Sequence, residues 1–378
     1  MLAAPHTYFD RPASSDATEP PEAHGVARDA VKLLVATPRG ITHTRFTHLG
    51  DYLQAGDLLV VNNSATMAAA VDGNRAGRPI TVHFSMARDD GTWVVELRPA
   101  EIARGHLLDV RPGQRIDLPG GATSTVLSSY PDPGVVGSRL WSTRVTIQGD
   151  VTTFLARYGR PIRYAYVPRR WPLASYQTVF ARSPGSAEMA SAARPFSPRL
   201  VVSLVTSGIR IAPITLHAGV SSAEAGESPA AESFDVSPST AQLVNLTRAN
   251  GGRVVAVGTT ATRALESAAC HDGSVGPAHG WTEIVIGPDQ PVRVVDGLIT
   301  GWHDATASHL LLLEAVAGSD LIGAAYQQAL THEYLWHEFG DSALLLPDRP
   351  HCGHPRGGLL RRSPRSNTDV EPQPARRC

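Results

Sequence analysis

The sequence predicts an α/β body with an inserted antiparallel β-barrel domain, and three observations predict it. Valine-rich runs pass directly into helical patterns, as in "VAVGTTATRALESAA" at 255–269; several of these runs end in polar residues; and between about Val71 and Asp150 the pattern changes to short alternating stretches cut by Gly, Pro and Asp. Helices packed on a mostly parallel sheet produce the first two features, and a small barrel produces the third.

The elements follow in order. The lead "MLAAPHTYFDRPASSDATEPPEA" has no basic segment followed by an apolar core, so it is not a secretory signal, and residues 1–27 read as a flexible lead. The body is discontinuous, 28–70 and 151–347. It opens with a strand "VKLLVAT", a turn at "PRG" and a second strand in "GDLLVVNNSA" that ends in Asn62, Asn63 and Ser64. Residues 71–150 supply the barrel runs "RPITVHFSM", "TWVVELRPA", "HLLDV", "QRIDL", "TSTVLSS" and "RLWSTRVTI". Then come a helix in "VTTFLARYG", a long loop through Tyr176 and Gln177, and a strand "APITLHAG" carrying His217 at its end. The Ser-, Ala- and Glu-rich stretch from Val220 to Ala231 reads as a surface loop. A helix at "PSTAQLVNLTRANG" closes on glycines, as a helix C-terminus does. A strand pair "TEIVIG" and "VRVVDGLIT", a loop "GWHDATAS" and a helical close from about Ser308 to Trp336 complete the body. The tail, 348–378, is rich in Pro, Gly, Ser and Arg and reads as disordered.

Bulk properties narrow the function classes. Lys+Arg 34 against Asp+Glu 35 gives a net charge of -1, so the chain has no global basic field of the kind dedicated nucleic-acid binders show, although a local basic face stays open. Cys270, Cys352 and Cys378 have no framework spacing, which suits a reducing compartment with the cytoplasm as default. No apolar run reaches the length of a membrane span; "HLLLLEAVAG" is too short and contains Glu314.

The junction at 255–269 raises a choice. Gly258 turns a strand into a helix and leaves the first helical N–H groups aimed beyond the strand end. Either Thr260 caps its own helix, or Thr259 and Thr260 border a site for an anionic or polar ligand. Arg263 and Glu266, three apart, either pair on the helix surface or bring Arg263 to that site. If the strands share one sheet, Asn62 to Ser64, His217, Thr259 with Thr260, and Trp302 with His303 and Asp304 converge at its C-terminal edge. His303 is then either a structural hydrogen bonder or a general base.

Other motifs fail on spacing. In "HEYLWHEF" His332 and His337 are five apart rather than one turn, which removes the metalloprotease reading. His351, Cys352 and His354 lie in the tail without partners at structural-zinc spacing. Dinucleotide, Walker and hydrolase-elbow motifs are absent from the sequence.

The segment 255–269 resembles the signature of the S-adenosylmethionine:tRNA ribosyltransferase-isomerases of queuosine biosynthesis. The resemblance continues in order through "ARDAVKLLV", "GDLLVVNNSA", "YQTVFA", "ITLHAG", "VVDGLITGWH" and "YLWHEFGDSALLL", covering about Arg28 to Pro347. It implies an α/β body with an inserted barrel. It also implies a reaction that moves the ribosyl part of S-adenosylmethionine onto 7-aminomethyl-7-deazaguanine in tRNA, with release of adenine and methionine. S-adenosylmethionine enters as substrate; no separate cofactor and no metal is implied. His303 matches the histidine of the family's Asn-Phe-His and is the implied base. Trp302 stands at the family's Phe, against the sulfonium. Asn62, Asn63, Ser64, Tyr176, Gln177, His217, Thr259, Thr260, Arg263 and Glu266 are the implied substrate-binding positions, and Arg163, Arg169 and Arg170 would meet tRNA phosphates. The chain also departs from the family. Asn-Asp-Thr-Arg becomes Asn62, Asn63, Ser64 and Ala65; Pro195 stands where a histidine is expected; Glu232 alone survives from a His-x-Met-His-Ser-Glu stretch; and Leu-Pro-Lys-Ser-Thr becomes "DATAS". An alternative acceptor, or a binding role without catalysis, is therefore an open second reading.

Overall fold

The computed structural model describes residues 4–100, 105–220, 230–287, 290–305 and 307–348. The tail from 349, with His351, Cys352, His354 and Cys378, and most of the loop expected at 220–231 lie outside the described residues.

The body is one nine-stranded sheet. Its first hairpin is β1 (Lys32–Thr37) with β2 (Gly40–Arg45), followed by β3 (Leu58–Asn62) and the short β4 (Ser64–Thr66). The barrel comes next: β5 (Ala70–Arg75), β6 (Arg78–Ala87), β7 (Trp93–Pro99), β8 (Arg115–Asp117), β9 (Thr123–Tyr130) and β10 (Leu140–Thr146). These six strands close in the order β10-β7-β6-β5-β8-β9, which removes every exposed edge. The run "HLLDV" forms no strand. Helix α1 (Val151–Tyr158), capped by Asp150, leads back to the body. There, β11 (Ser183–Ser186) pairs with β4, α2 (Pro198–Thr206) leads to β12 (Arg210–Leu216), and β13 (Glu232–Val236) to α3 (Pro238–Ala249). After them come β14 (Val254–Val257), α4 (Thr259–Ser267), β15 (Ala278–Thr282), β16 (Gly297–Thr300), α5 (His309–Ala317), α6 (Ser319–Thr331) and β17 (Ser342–Leu345).

The sheet runs β15-β13-β12-β3-β14-β16-β17-β1-β2, and its centre, β12-β3-β14-β16, is parallel. Alternation along these strands feeds two cores. Leu34, Leu58, Val60 and Ala256 pack under α4, α5 and α6, while Leu33, Leu59, Val61 and Val255 pack against Phe46, Phe196 and α2 on the other face. A sheet covered on both faces needs apolar residues at every position, which is why these strands read as unbroken Val and Leu runs.

Two expectations are corrected. The region expected to be helical to Trp336 breaks at Gly318 (φ 79) and ends at Thr331, and β17, which the sequence reading missed, then enters the sheet between β16 and β1. No single helix among the described residues is long and apolar enough to cross a membrane; α5 and α6 meet at 117°. The lead expected to be flexible is packed. Phe9 inserts beside Tyr326 (4.7 Å between ring centroids) and Trp336 (6.5 Å), and the Glu314 carboxylate accepts the backbone N–H groups of His6 and Thr7. A short lead of low hydropathy gives no periodic signal, so its partners were invisible in sequence. Of the cysteines, Cys270 is disulfide-bonded.

Phe9 sits 8% exposed in the main core. Phe9→Ala should therefore destabilise the protein by about 3 kcal/mol, the lower end for deleting a buried phenyl ring. Urea unfolding reads this directly; an unchanged midpoint would mean that the lead contributes nothing to the core.

Candidate functional site

Because β12, β3, β14 and β16 run parallel, their C-terminal ends open on one edge, and a cavity of about 240 Å³ lies beyond it. Gly258 sits at the junction with φ 93, a conformation that suits glycine, and a Cβ there would stand 3.3 Å from Ala192 Cβ. It is the N-cap of α4, and no side chain caps this nine-residue helix. Thr260 is thus not its own helix's cap: its Oγ1 accepts a hydrogen bond from Asn62 Nδ2 at 3.2 Å. The uncapped turn borders the cavity through Gly258, Thr259 and Thr260, which brings the positive end of the helix dipole to its wall.

Arg263 also lines the cavity, with its guanidinium committed to the Glu232 carboxylate and to the carbonyls of Ile284 (3.2 Å) and Thr282 (3.4 Å). It does not pair with Glu266. That carboxylate accepts the N–H groups of Arg293, Val294 and Val295 at 2.8, 2.9 and 3.1 Å, tying down the loop before β16. Glu266 is a buried loop anchor and is not among the lining residues, which corrects its expected role.

His303 lines the cavity just after β16. Its Nε2 lies 3.1 Å from Thr300 Oγ1, its backbone N–H donates to the Tyr326 hydroxyl at 3.2 Å, and its ring stacks on His309 at 4.5 Å. Burial, with the nearby His309 and His337, holds its pKa well below that of a free imidazole, so it is neutral at physiological pH; burial with Arg263 pushes His309 down to about 4. Trp302 is 2% exposed, packed edge-on to Tyr326 (5.0 Å) and Tyr334 (5.6 Å), and its Nε1 has no partner among the described residues.

The other expected positions stand behind the wall. Asn62 binds the ends of β3 and β12, and Ser64 Oγ bridges Ser186 Oγ (2.6 Å) and His217 Nδ1 (2.7 Å). Asn63 accepts from Thr215 Oγ1 at 2.7 Å. Gln177 exchanges two hydrogen bonds with the Thr66 backbone, and Tyr176 packs on Phe339 at 5.2 Å. None of these six lines the cavity, so each acts on it only through its neighbours.

Several wall residues escaped the sequence reading. Tyr164, Tyr166 and His337 form a stack, with 5.9 Å and 4.3 Å between successive rings, and His337 Nε2 lies 3.0 Å from Asp16 of the lead. The rejected zinc motif is rejected in space as well: His332 stacks on His43 at 3.9 Å, away from the cavity. Glu188 and Glu338 lie on loops, where no periodicity points inward. Burial, reinforced by Glu188 and opposed by Arg194, pushes Glu338 up to about 8, and its Oε1 has no partner among the described residues.

That position carries a pH prediction. A carboxyl group whose folded pKa exceeds its unfolded value stabilises fully below the unfolded value, and its contribution is lost as pH rises through about 8. Melting temperatures taken from about pH 5 to about pH 9 should fall more for wild type than for Glu338→Gln. Parallel curves would show that Glu338 ionises freely.

Residues 6–345 match the family model described as "Queuosine biosynthesis protein". An S-adenosylmethionine:tRNA ribosyltransferase-isomerase from Acidiphilium cryptum is 34% identical over 335 residues, covering 84% of this chain and 93% of its own. One from Symbiobacterium thermophilum is 34% identical over 355 residues, covering 89% and 98%. A crystal structure of S-adenosylmethionine tRNA ribosyltransferase from Thermotoga maritima is 26% identical, with 89% of this chain and 99% of that one covered and a TM-score of 0.49.

Proposed function

Since this chain belongs to the queuosine biosynthesis protein family, we propose that it transfers and isomerises the ribosyl part of S-adenosylmethionine onto 7-aminomethyl-7-deazaguanine in tRNA, giving epoxyqueuosine and releasing adenine and methionine. Its partners are then S-adenosylmethionine and tRNA, and its place of action is the cytoplasm. The observation that carries this reading is the charge pattern of the cavity. Three carboxyl groups, Glu188, Glu232 and Glu338, and three imidazoles face one guanidinium, Arg263, while an uncapped helix start forms part of the wall. S-adenosylmethionine needs both halves of that pattern: carboxyl groups and aromatic faces suit its sulfonium and ammonium, and helix N–H groups suit its carboxylate.

The step assigned to His303 follows from its protonation state. The sulfonium acidifies the adjacent 5′ C–H, so a neutral imidazole can take that proton while the electron pair left behind drives adenine from the ribose. Thr300 Oγ1, 3.1 Å from Nε2, orients the ring, and the parallel stack on His309 prevents it from swinging away. Trp302 and the Tyr164–Tyr166 pair supply aromatic surface for the base and sulfonium. Glu338, held protonated near neutrality, can give a hydrogen bond to a leaving or attacking nitrogen.

The test is chromatographic. Purified protein incubated with S-adenosylmethionine and tRNA carrying the aminomethyl base should release adenine and methionine, with none released without that tRNA. His303→Ala should lower the rate of adenine release at least about a hundredfold, the usual loss for a missing general base, while S-adenosylmethionine still binds. Turnover at the wild-type rate in this variant removes the base assignment. Adenine release without tRNA would redirect the reading to another acceptor, and binding without any release would favour a non-catalytic relative.

A further inference from the structure

A second cavity, about 120 Å³, opens where the barrel meets the body. Ala70, Thr81 and Arg98 of β5, β6 and β7 form one wall, and the loop that follows α1 forms the other. The junction is built rather than incidental: Ala70 and Arg160 exchange two backbone hydrogen bonds of 2.9 Å across it. Four guanidinium groups, from Arg98, Arg160, Arg163 and Arg170, border the cavity, and among the described residues that line it none is a carboxylate.

The carboxylates that Arg98 and Arg160 pair with do not line the cavity. Arg98 Nε donates to Glu96 at 2.7 Å and Arg160 to Asp72 at 2.5 Å and to the lining Thr81 Oγ1 at 3.4 Å, whereas among the described residues Arg163 donates to the carbonyls of Val167 and Pro168 alone. Arg170 is exposed and makes no ion pair or hydrogen bond among the described residues. Beside it Trp171 keeps a buried Nε1–H without an acceptor among the described residues, and the Arg169 guanidinium covers the indole ring at 4.1 Å. Unspent donors around a carboxylate-free pocket call for an anion, and arginine forks match phosphate oxygens in particular.

Position gives the anion its identity. Along the loop, Arg163 and Ala165 border this cavity while Tyr164 and Tyr166 border the first, so a single pass of chain forms the partition between them. We propose that the second cavity holds a backbone phosphate of the tRNA next to the nucleotide whose base enters the first. The inference rests on the function proposed above. A polynucleotide with one base inserted for reaction must carry its flanking phosphates past the partition.

Fluorescence anisotropy of labelled tRNA, titrated at several salt concentrations, tests this on the full-length protein. Arg170→Glu should weaken tRNA binding at least about fivefold and lower the salt slope by about 1. Ala100→Glu, which sets a carboxylate at the exposed rim, should weaken binding similarly. Arg115→Glu makes the same charge change as Arg170→Glu on an exposed barrel strand and should leave tRNA affinity at the wild-type value. S-adenosylmethionine affinity should be unchanged in all three. If Arg170→Glu and Ala100→Glu bind tRNA as wild type does, or Arg115→Glu is impaired as much as they are, the phosphate site is refuted while tRNA-dependent adenine release stands. A wild-type protein that neither binds tRNA nor releases adenine refutes the functional reading and this inference with it.

Discussion

The buried carboxamide of Asn62 holds together the C-terminal edge of the sheet's parallel centre. With no solvent exposure, its Nδ2 donates to the Leu216 carbonyl at 2.8 Å and to Thr260 Oγ1, and its Oδ1 accepts from Leu216 N–H at 3.1 Å and Ser64 N–H at 3.0 Å. One side chain therefore fixes the ends of β3 and β12, the start of β4 and the first turn of α4. An orphaned buried polar group costs about 1–3 kcal/mol, so the four bonds are worth keeping as a set. Through Ser64 the same network reaches Ser186 and His217, and Ser186 Oγ in turn accepts the Ala218 N–H at 3.0 Å. The cavity wall at Ala218 and Gly219 inherits its position from Asn62.

Electrostatically the two cavities are opposites. In the first, burial keeps His303, His309 and Glu338 uncharged near neutrality, while Arg263 and Glu232 form an ion pair. The second gathers guanidinium groups, which stay charged at any accessible pH. A near-zero net charge conceals this separation, because Arg, Asp and Glu balance over the whole chain while segregating locally.

Legibility in the sequence followed periodicity. The Val and Leu runs of β1, β3 and β14, the alternating barrel strands and the Gly258 junction were readable, because each has one dominant local signal, whereas the expected pair "TEIVIG" and "VRVVDGLIT" does not form, and of "VRVVDGLIT" only Gly297–Thr300 is a body strand. The site was legible where residues sit at strand ends, as for Thr259, Thr260, Trp302 and His303. It was illegible where loops converge. Glu188, His337 and Glu338 come from loops distant in sequence, and only the folded sheet aligns them. Asn62 and Glu266, expected as substrate-binding positions, bond to backbone groups instead; a polar side chain that holds the backbone and one that holds a ligand have the same appearance in one dimension. Strand β17 was missed because Ser342–Leu345 is four residues long and follows an apparent helical run.

The packing of the lead against the last helices has a consequence for biogenesis. Thr7 and Glu314 are 307 residues apart, and Asp16 and His337 are a further pair of the same kind, so the lead is tied to α5 and to the turn that carries His337 in the cavity wall. Contacts of such sequence separation form late, since loop closure costs entropy before they return any energy. A chain emerging from the ribosome can complete its barrel early, as that module is contiguous, yet Phe9, Tyr326 and Trp336 meet only once Trp336 has been made. The first cavity, whose lining includes His337 and Glu338, is accordingly completed only when the chain through Glu338 is present.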